Sequence, residues 1–256
     1  MFALTREIST AIAHCELTHL ARTPIDLKLA RREHDAYEDA LRRSGCRVER
    51  LPADDDMADS VFIEDTAVAL DELAIIARPG APSRRGEVDV VRDALRRHRR
   101  IVEIAAPGTL DGGDVLRMGR RLLVGDGPRT NEAGRSQLAA LVERHGYTVE
   151  AVAFDGCLHL KTAVTLVADD VALCNPAWVS AGALGTGRVI DVDPSEPFAG
   201  NALRLGDIVL HPAEFPKTGD RLRRAGINVV AVPAGELAKA EGGLTCESLL
   251  VAEAKH

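Results

Sequence analysis

Apolar and polar positions along this chain fall into a unit that returns about every 40–55 residues, a spacing that marks repeat and propeller architectures. Each unit joins a stretch of helical periodicity, a glycine or basic turn, and a short run rich in β-branched residues. In the first, Ala36, Tyr37, Ala40 and Leu41 share a helical face over 34–43, Gly45 stops the helix, and 46–51 reads as a strand. Residues 88–98 followed by 101–105 form the second. Thr130 has the character of an N-cap for the helix carrying Leu138, Leu141 and Val142, which Gly146 ends before a strand over 148–154. A fourth copy over 177–192 is weak and glycine-rich, and 218–224, Gly226 and 227–232 make a clear fifth.

Between these pieces lie pairs of alternating apolar runs that predict hairpins. They pair 61–70 with 73–77, 114–118 with 121–124, 162–168 with 171–175, and 201–205 with 207–211. A fifth pairs 245–252 at the C-terminal end with 2–8 at the N-terminal end. That pairing closes a ring, which removes exposed sheet edges and brings one strand of each unit to a common axis. The expectation is therefore an α/β chain of five ββαβ units around a central cleft, one domain over 1–256.

Composition narrows the function. At 256 residues and 46% hydrophobic, the chain is long enough for a large core. A net charge of −7 opposes a nucleic-acid binder, which needs a basic face, and suits a small cationic substrate. The basic run at Arg96, Arg97, Arg99 and Arg100 is flanked by acids and reads as a solvated helix face. No leader pattern and no apolar stretch of about 18 residues occurs, so a cytoplasmic protein without membrane contact is expected. Five cysteines without close pairs fit reduced thiols rather than a disulfide frame. Cys157 and His159 alone do not make the ligand set of a zinc site, and no metal or organic cofactor is expected.

Four polar segments stand at the hairpin entrances: Asp59-Ser-Val-Phe-Ile-Glu64-Asp65, Asp111-Gly-Gly-Asp114, His159-Leu-Lys161 and Gly242-Gly-Leu-Thr-Cys246. A planar guanidinium presents several N–H donors and favours carboxylates in its plane, which makes Asp65 and Asp111 candidate clamps. Cys246 is the candidate nucleophile, activated by a neighbouring cation that the substrate itself supplies. His159 is the candidate proton carrier, protonating a leaving amine and then deprotonating water. Blander roles compete with these. A cysteine in an apolar strand is ordinarily a small core residue, the reading for Cys46 and Cys174. A single histidine is often structural, and Asp-Gly-Gly is by itself a turn signal.

Seven stretches together resemble the dimethylarginine dimethylaminohydrolases of the guanidino-group-modifying superfamily. They are Leu51-Pro-Ala-Asp, Asp59-Ser-Val-Phe-Ile-Glu-Asp65, Arg78-Pro-Gly-Ala-Pro-Ser-Arg84-Arg-Gly-Glu87, Thr109-Leu-Asp-Gly-Gly-Asp-Val-Leu116, Arg129-Thr-Asn131, Leu158-His-Leu-Lys161 and Gly243-Leu-Thr-Cys246. The resemblance implies the five-bladed β/α propeller of that superfamily, the pentein fold. It implies hydrolysis of asymmetric dimethylarginine or monomethylarginine to citrulline and dimethylamine or methylamine, through a covalent Cys246 thiouronium. His159 would shuttle protons, Asp111 would hold the guanidinium or orient His159, and Asp65 would bind guanidinium nitrogens. Asp59 would meet the amino-acid end of the substrate, with Glu64 supporting this acidic cluster. Arg84 and Arg129 would grip the α-carboxylate, Leu17 would tip a lid loop, and the Ala240 carbonyl would add a contact. Asp111 stands where many superfamily members carry Glu, and 175–199 matches poorly. The partner is then a small methylated arginine, and the assembly a monomer or homodimer. Alternatives are arginine deimination, hydrolysis of citrulline or another ureido amino acid, and a non-catalytic binding protein on the same propeller.

Overall fold

A computed structural model describes residues 1–252; residues 253–256 of the expected 1–256 domain lie outside the described residues. The elements run β1 (Phe2–Arg6), α1 (Leu27–Arg43), β2 (Arg47–Leu51), β3 (Ala67–Ala69), β4 (Leu73–Ile76), α2 (Val88–Leu95) and β5 (Arg100–Glu103). They continue with β6 (Val115–Met118), β7 (Arg121–Gly125), α3 (Glu132–Val142), β8 (Thr148–Val152), the single turn α4 (Leu160–Ala163), β9 (Val164–Ala168), β10 (Val171–Cys174) and β11 (Arg188–Asp191). Last come β12 (Leu203–Leu205), β13 (Ile208–Pro212), α5 (Pro216–Arg224), β14 (Asn228–Val232), the short α6 (Gly235–Ala238) and β15 (Leu249–Val251).

Five three-stranded sheets result, each with an antiparallel hairpin and an outer parallel strand: β15-β1-β2, β3-β4-β5, β6-β7-β8, β9-β10-β11 and β12-β13-β14. The first closes the ring as expected, with Phe2 opposite Val251 and Leu4 opposite Leu249 in the antiparallel pair. Phe2 and Leu4 also face Arg47 and Glu49 in the parallel one. Residues of all five inner strands (β3, β6, β9, β12, β15) line one axial space, so the inner edge of each blade faces the other blades.

The apolar faces of the helices are buried in the seams between blades. Val91, Ala94 and Leu95 of α2 pack on Phe2, Leu4 and Val251 of the preceding blade as well as on Ile76 of their own. Leu138 and Val142 of α3 reach Leu73 and Ile75, and Tyr37 and Leu41 of α1 reach Leu203 and Leu210. Each fully buried leucine stabilises by about 1.5–3 kcal/mol, so the ring is held by the seams rather than by one central core.

Four local expectations are corrected. Asn131, not Thr130, caps α3, its Oδ1 accepting from Gly134 N–H; the Thr130 hydroxyl donates instead to buried Asp114 at 2.7 Å. Residues 63–66 are a 3-10 turn rather than the start of a hairpin strand. Helix α1 begins at Leu27, seven residues before the periodic stretch, because Asp26 accepts from the N–H groups of Lys28 and Leu29. The fourth unit has no α-helix between β10 and β11: its seam is filled by Cys157, Leu160, Ala163, Val179 and Leu184, with Phe154 and Trp178 alongside. Bulky side chains on irregular backbone occupy the volume that a helix occupies elsewhere.

Candidate active site

At one end of the axis Cys246, His159, Asp65, Asp59, Phe62, Arg84, Arg129 and Ala240 line one narrow cavity, with Glu16 and Glu241 at its wall. Cys246 sits in the turn that leads into β15, where its carbonyl accepts from Glu64 N–H at 3.1 Å. The next two residues are gripped by α1: His34 Nδ1 lies 2.7 Å from Glu247, and the Tyr37 hydroxyl 2.6 Å from Ser248 Oγ. Gly243 N–H donates to Cys246 Sγ at 3.3 Å. Gly243 is glycine for a steric reason, since a Cβ there would meet the Asn201 side chain at 2.5 Å. Burial, then the charges of Glu64 and Asp65, push the Cys246 thiol well above its ordinary pKa, against the pull of the Gly243 N–H and Lys161. At neutral pH the thiol therefore holds its proton.

His159 immediately precedes α4 and is 3% exposed. Its Nε2 is 3.0 Å from Asp111 Oδ2 and its Nδ1 3.7 Å from Asp65 Oδ1. Burial acts to lower its pKa, but Asp65, Asp111 and Asp114 outweigh that and raise it to about 9. In the same exchange Asp65, despite its burial, is held down at about 2 by His159 and Arg84. The imidazole is therefore a protonated acid at neutral pH. Asp114 holds the chain behind it, accepting from Leu160 N–H at 3.1 Å and from Thr130, and burial pushes its own pKa up to about 6. The Asp111-Gly-Gly-Asp114 stretch is thus more than a turn: a Cβ on Gly113 would meet Asp65 Oδ1 at 2.6 Å and the His159 ring at 2.7 Å.

Several expectations about single residues are revised. Asp111 and Asp65 are not equivalent clamps: Asp65 lines the cavity, whereas Asp111 is wholly buried behind the imidazole, accepting from Gly80 N–H at 2.8 Å. Its position is that of a residue orienting His159. Glu64 does not reach the cavity. Both of its carboxylate oxygens face away, Oε1 to Lys161 Nζ and Oε2 to the Thr245 hydroxyl, each at 2.6 Å. Arg84 is 3% exposed, and its fork is directed inward. Its Nε and Nη2 donate to Glu87, its Nη2 also to the Phe62 carbonyl, and its Nη1 to Asp65 at 2.6 Å. A guanidinium has five N–H donors, so one remains and a bidentate grip on a second carboxylate is closed to it. Arg129 differs: its Nη1 is enclosed without a hydrogen-bond partner, 3.7 Å from Asp111 Oδ2.

Leu17 packs beside the apolar group that contains Phe62, Ala240 and Cys246, and the loop around it is tied at two points. Asp59, whose pKa burial raises, accepts from Glu16 N–H at 3.1 Å. Glu241 Oε1 accepts from the N–H groups of Thr18, His19 and Leu20 at 3.0, 2.5 and 2.6 Å. Glu241 adopts φ 61, a left-handed conformation unusual for a residue with a side chain and a mark of local constraint. Sequence reasoning passed over Glu241, Glu87 and Glu16; an acidic residue before Gly242-Gly243 was the available signal. Asp65, Asp111 and His159 hold metal-type donor atoms within 4.8 Å of one another. Those donors already face Arg84, Gly113 N–H and Gly80 N–H, so cationic and N–H partners occupy the places of a metal.

A closed ring of five blades is the pentein fold, and the thiol and imidazole facing one axial cavity place the chain among the cysteine-bearing members of that fold. The family model described as eukaryotic N,N dimethylarginine dimethylhydrolase matches residues 16–181. An N(G),N(G)-dimethylarginine dimethylaminohydrolase of Streptomyces coelicolor is 40% identical over 252 residues, covering 98% of this chain and 97% of the relative. The enzyme of that name from Pseudomonas aeruginosa is 33% identical over 234 residues, covering 91% of each. The chain belongs to the dimethylarginine dimethylaminohydrolase family. A solved structure of the Pseudomonas aeruginosa enzyme, a cysteine-to-serine mutant complexed with citrulline, superposes with TM-score 0.92 at 31% identity, covering 97% of this chain and 98% of that one. The N-terminal domain of ArgZ, an arginine dihydrolase, shares the fold with TM-score 0.87 at 19% identity.

Proposed function

We propose that this chain hydrolyses asymmetric dimethylarginine and monomethylarginine to citrulline, releasing dimethylamine or methylamine. The observation that carries the reading is the single cavity walled by a buried thiol, a protonated imidazole and the Asp65 carboxylate, with the Arg129 side chain also at its wall. Asp65 binds the substrate guanidinium, whose positive charge offsets Glu64 and Asp65 and lowers the Cys246 pKa where it is needed. The thiol proton leaves to solvent as substrate binds; the thiolate Sγ attacks the guanidinium carbon, and His159 protonates the departing amine as the C–N bond breaks, leaving a thiouronium. Water then adds to the same carbon, His159 takes its proton, and the C–S bond breaks to give citrulline and the thiol. Asp111 keeps the imidazole in place. Asp59 meets the substrate amino group and the Ala240 carbonyl adds a contact, while Leu17 lies on the lid over them. Glu64 supports the acidic cluster from behind, and Arg84 holds Asp65 at the cavity wall. One catalytic unit over 1–256 acts as a monomer or homodimer in the cytoplasm, a reducing setting in keeping with five cysteines that form no disulfide. Among the described residues no helix is long and apolar enough to cross a membrane.

The test is mass spectrometry of products after incubation with asymmetric dimethylarginine and, separately, arginine. Citrulline and dimethylamine from the first alone is the expected result. Citrulline and ammonia from arginine identifies a deiminase instead, and absence of product from either overturns the hydrolase reading.

Two substitutions probe substrate holding. Arg129→Ala is expected to raise KM by about tenfold or more with a smaller change in kcat, because a charge-assisted hydrogen bond to the α-carboxylate is made equally in ground and transition states. An unchanged KM removes Arg129 from the site. Glu241→Ala releases three backbone N–H groups of the lid loop and is expected to raise KM by about tenfold. Limited proteolysis supplies the second readout: cleavage within 16–20 should speed up in the variant, and equal cleavage rates count against the latch.

A further inference from the structure

The nucleophile and the proton carrier come from different blades, His159 from the entrance to the fourth and Cys246 from the join between the fifth and the first. Their relative placement depends on whatever ties those two pieces of backbone together. One side chain does so directly. Asn201, 3% exposed and standing just before β12, donates from Nδ2 to the Lys161 carbonyl, two residues past His159, at 3.0 Å. The same Nδ2 donates its other proton to Thr245 Oγ1 at 3.0 Å, and Oδ1 accepts from Thr245 N–H at 3.0 Å, the residue immediately before Cys246. Both amide protons and one acceptor site of the carboxamide are thereby used.

The bridge extends further. Thr245 passes its own hydroxyl proton to Glu64 Oε2, whose Oε1 holds Lys161 Nζ, so the carboxamide, hydroxyl, carboxylate and ammonium form a closed circuit. Glu64 in turn precedes Asp65, and its N–H is bonded to the Cys246 carbonyl. Asn201 also lies directly beneath Gly243, leaving no room for a Cβ there, and Gly243 supplies the N–H that faces Cys246 Sγ.

We propose that Asn201 is a positioning residue for the hydrolysis, setting the Cys246 turn against the His159 segment and holding the Gly243 N–H on the sulfur. It touches neither substrate nor the reacting atoms; it acts through Thr245, Lys161 and Gly243. The inference rests on the hydrolase reading above and adds a residue to it. Its chemistry is specific to an amide. Aspartate has the same shape, yet it would turn an acceptor oxygen toward the Lys161 carbonyl and toward a Thr245 hydroxyl that already donates to Glu64, leaving acceptors facing acceptors.

The experiment compares wild type with Asn201→Ala, Asn201→Asp and Thr245→Val, each normalised to folded protein by circular dichroism. Turnover of asymmetric dimethylarginine gives kcat and KM, and the rate of Cys246 labelling by chloroacetamidine at pH 7 reads the thiol without turnover. Both Asn201 variants are expected to lower kcat by about 10–100-fold, as a displacement of about 1 Å at the reacting centre does. KM should stay within about threefold, since the residues that hold substrate lie on other segments. The labelling rate should fall by about tenfold, and Thr245→Val should move both readouts in the same direction by less. A kcat and labelling rate per folded molecule within about twofold of wild type overturns the proposal, as does a rise in KM at unchanged kcat. If Asn201→Ala does not fold, the isosteric Asn201→Asp and Thr245→Val decide. If wild type releases no amine, the hydrolase reading fails, and the labelling rates still decide whether Asn201 places the thiol.

Discussion

Cys246→Ser is expected to reduce citrulline formation by at least about 10⁴-fold, at the level of losses seen when one member of a cooperating nucleophilic centre is removed. The fold should survive, because serine occupies nearly the same volume and its oxygen takes over the Gly243 N–H that now faces sulfur at 3.3 Å. What is lost is an attacking atom whose anion is accessible. A guanidinium in the cavity can lower a thiol pKa into the working range, whereas a hydroxyl stays far above it. Retained turnover in this variant overturns the covalent route. Chemical labelling gives an independent check with an unusual pattern. Burial also pushes Cys157 and Cys174 up to about 12 and raises Cys15, so none of these three, nor Cys246, is a ready thiolate at neutral pH. A neutral haloacetamide should therefore show no preference for Cys246, whereas a cationic haloacetamidine, bound beside Asp65, should label Cys246 selectively. Equal labelling of all five cysteines by the cationic reagent counts against an active site there.

His159→Gly is expected to abolish turnover in the same way while leaving substrate binding measurable, since the imidazole is the one group placed to carry protons between amine, water and solvent. The wild-type pH profile should show why. A folded-state pKa of about 9 keeps His159 protonated through neutral pH, so activity should fall as pH rises through about 9 and the general acid is lost. Asp111→Asn removes the carboxylate 3.0 Å from Nε2 and should move that alkaline limb downward, toward the ordinary histidine value of about 6.5. An alkaline limb that does not move in Asp111→Asn separates the limb from His159. The same shift stabilises the folded chain: its contribution is fully present below about pH 6.5 and is lost as pH rises through about 9. Thermal unfolding midpoints measured across that window should decline with pH in wild type and less steeply in His159→Gly.

The latch, the inward-facing fork and the carboxamide bridge give the site a common physical character. Most polar atoms around the cavity are occupied by another residue; Nη1 of Arg129 and Oε2 of Glu241 are the buried atoms at its wall without a hydrogen-bond partner among the described residues. A site arranged in this way is rigid before substrate arrives, which suits catalysis by placement rather than by rearrangement.

Periodicity and the polar segments determined a good deal without coordinates. Hydrophobic spacing is a local property, so the helices of α1, α2, α3 and α5 and the inner hairpins could be read from alternation and turn residues, while the closing of 245–252 onto 2–8 leaned on the family resemblance as well. The chemistry of Cys246, His159 and Asp65 was legible for a similar reason: a nucleophile, a proton carrier and a carboxylate at matching places in successive units must meet if the ring closes. Tertiary structure alone decided what each polar group is free to do. Asp65 and Asp111 read alike in sequence, and only the approach of Gly80, Gly113 and the imidazole puts one on the cavity and the other behind it. Arg84 and Arg129 read alike too, until Glu87 and Asp65 fill the donors of the first and leave Nη1 of the second without a partner. The fourth seam, packed by Trp178 and Phe154 where a helix was expected, and Asn201, bonded to residues 40 and 44 positions away, follow the same logic. Whether a donor is satisfied, or a volume filled, depends on atoms that distant segments deliver. No spacing along a single stretch of chain carries that information.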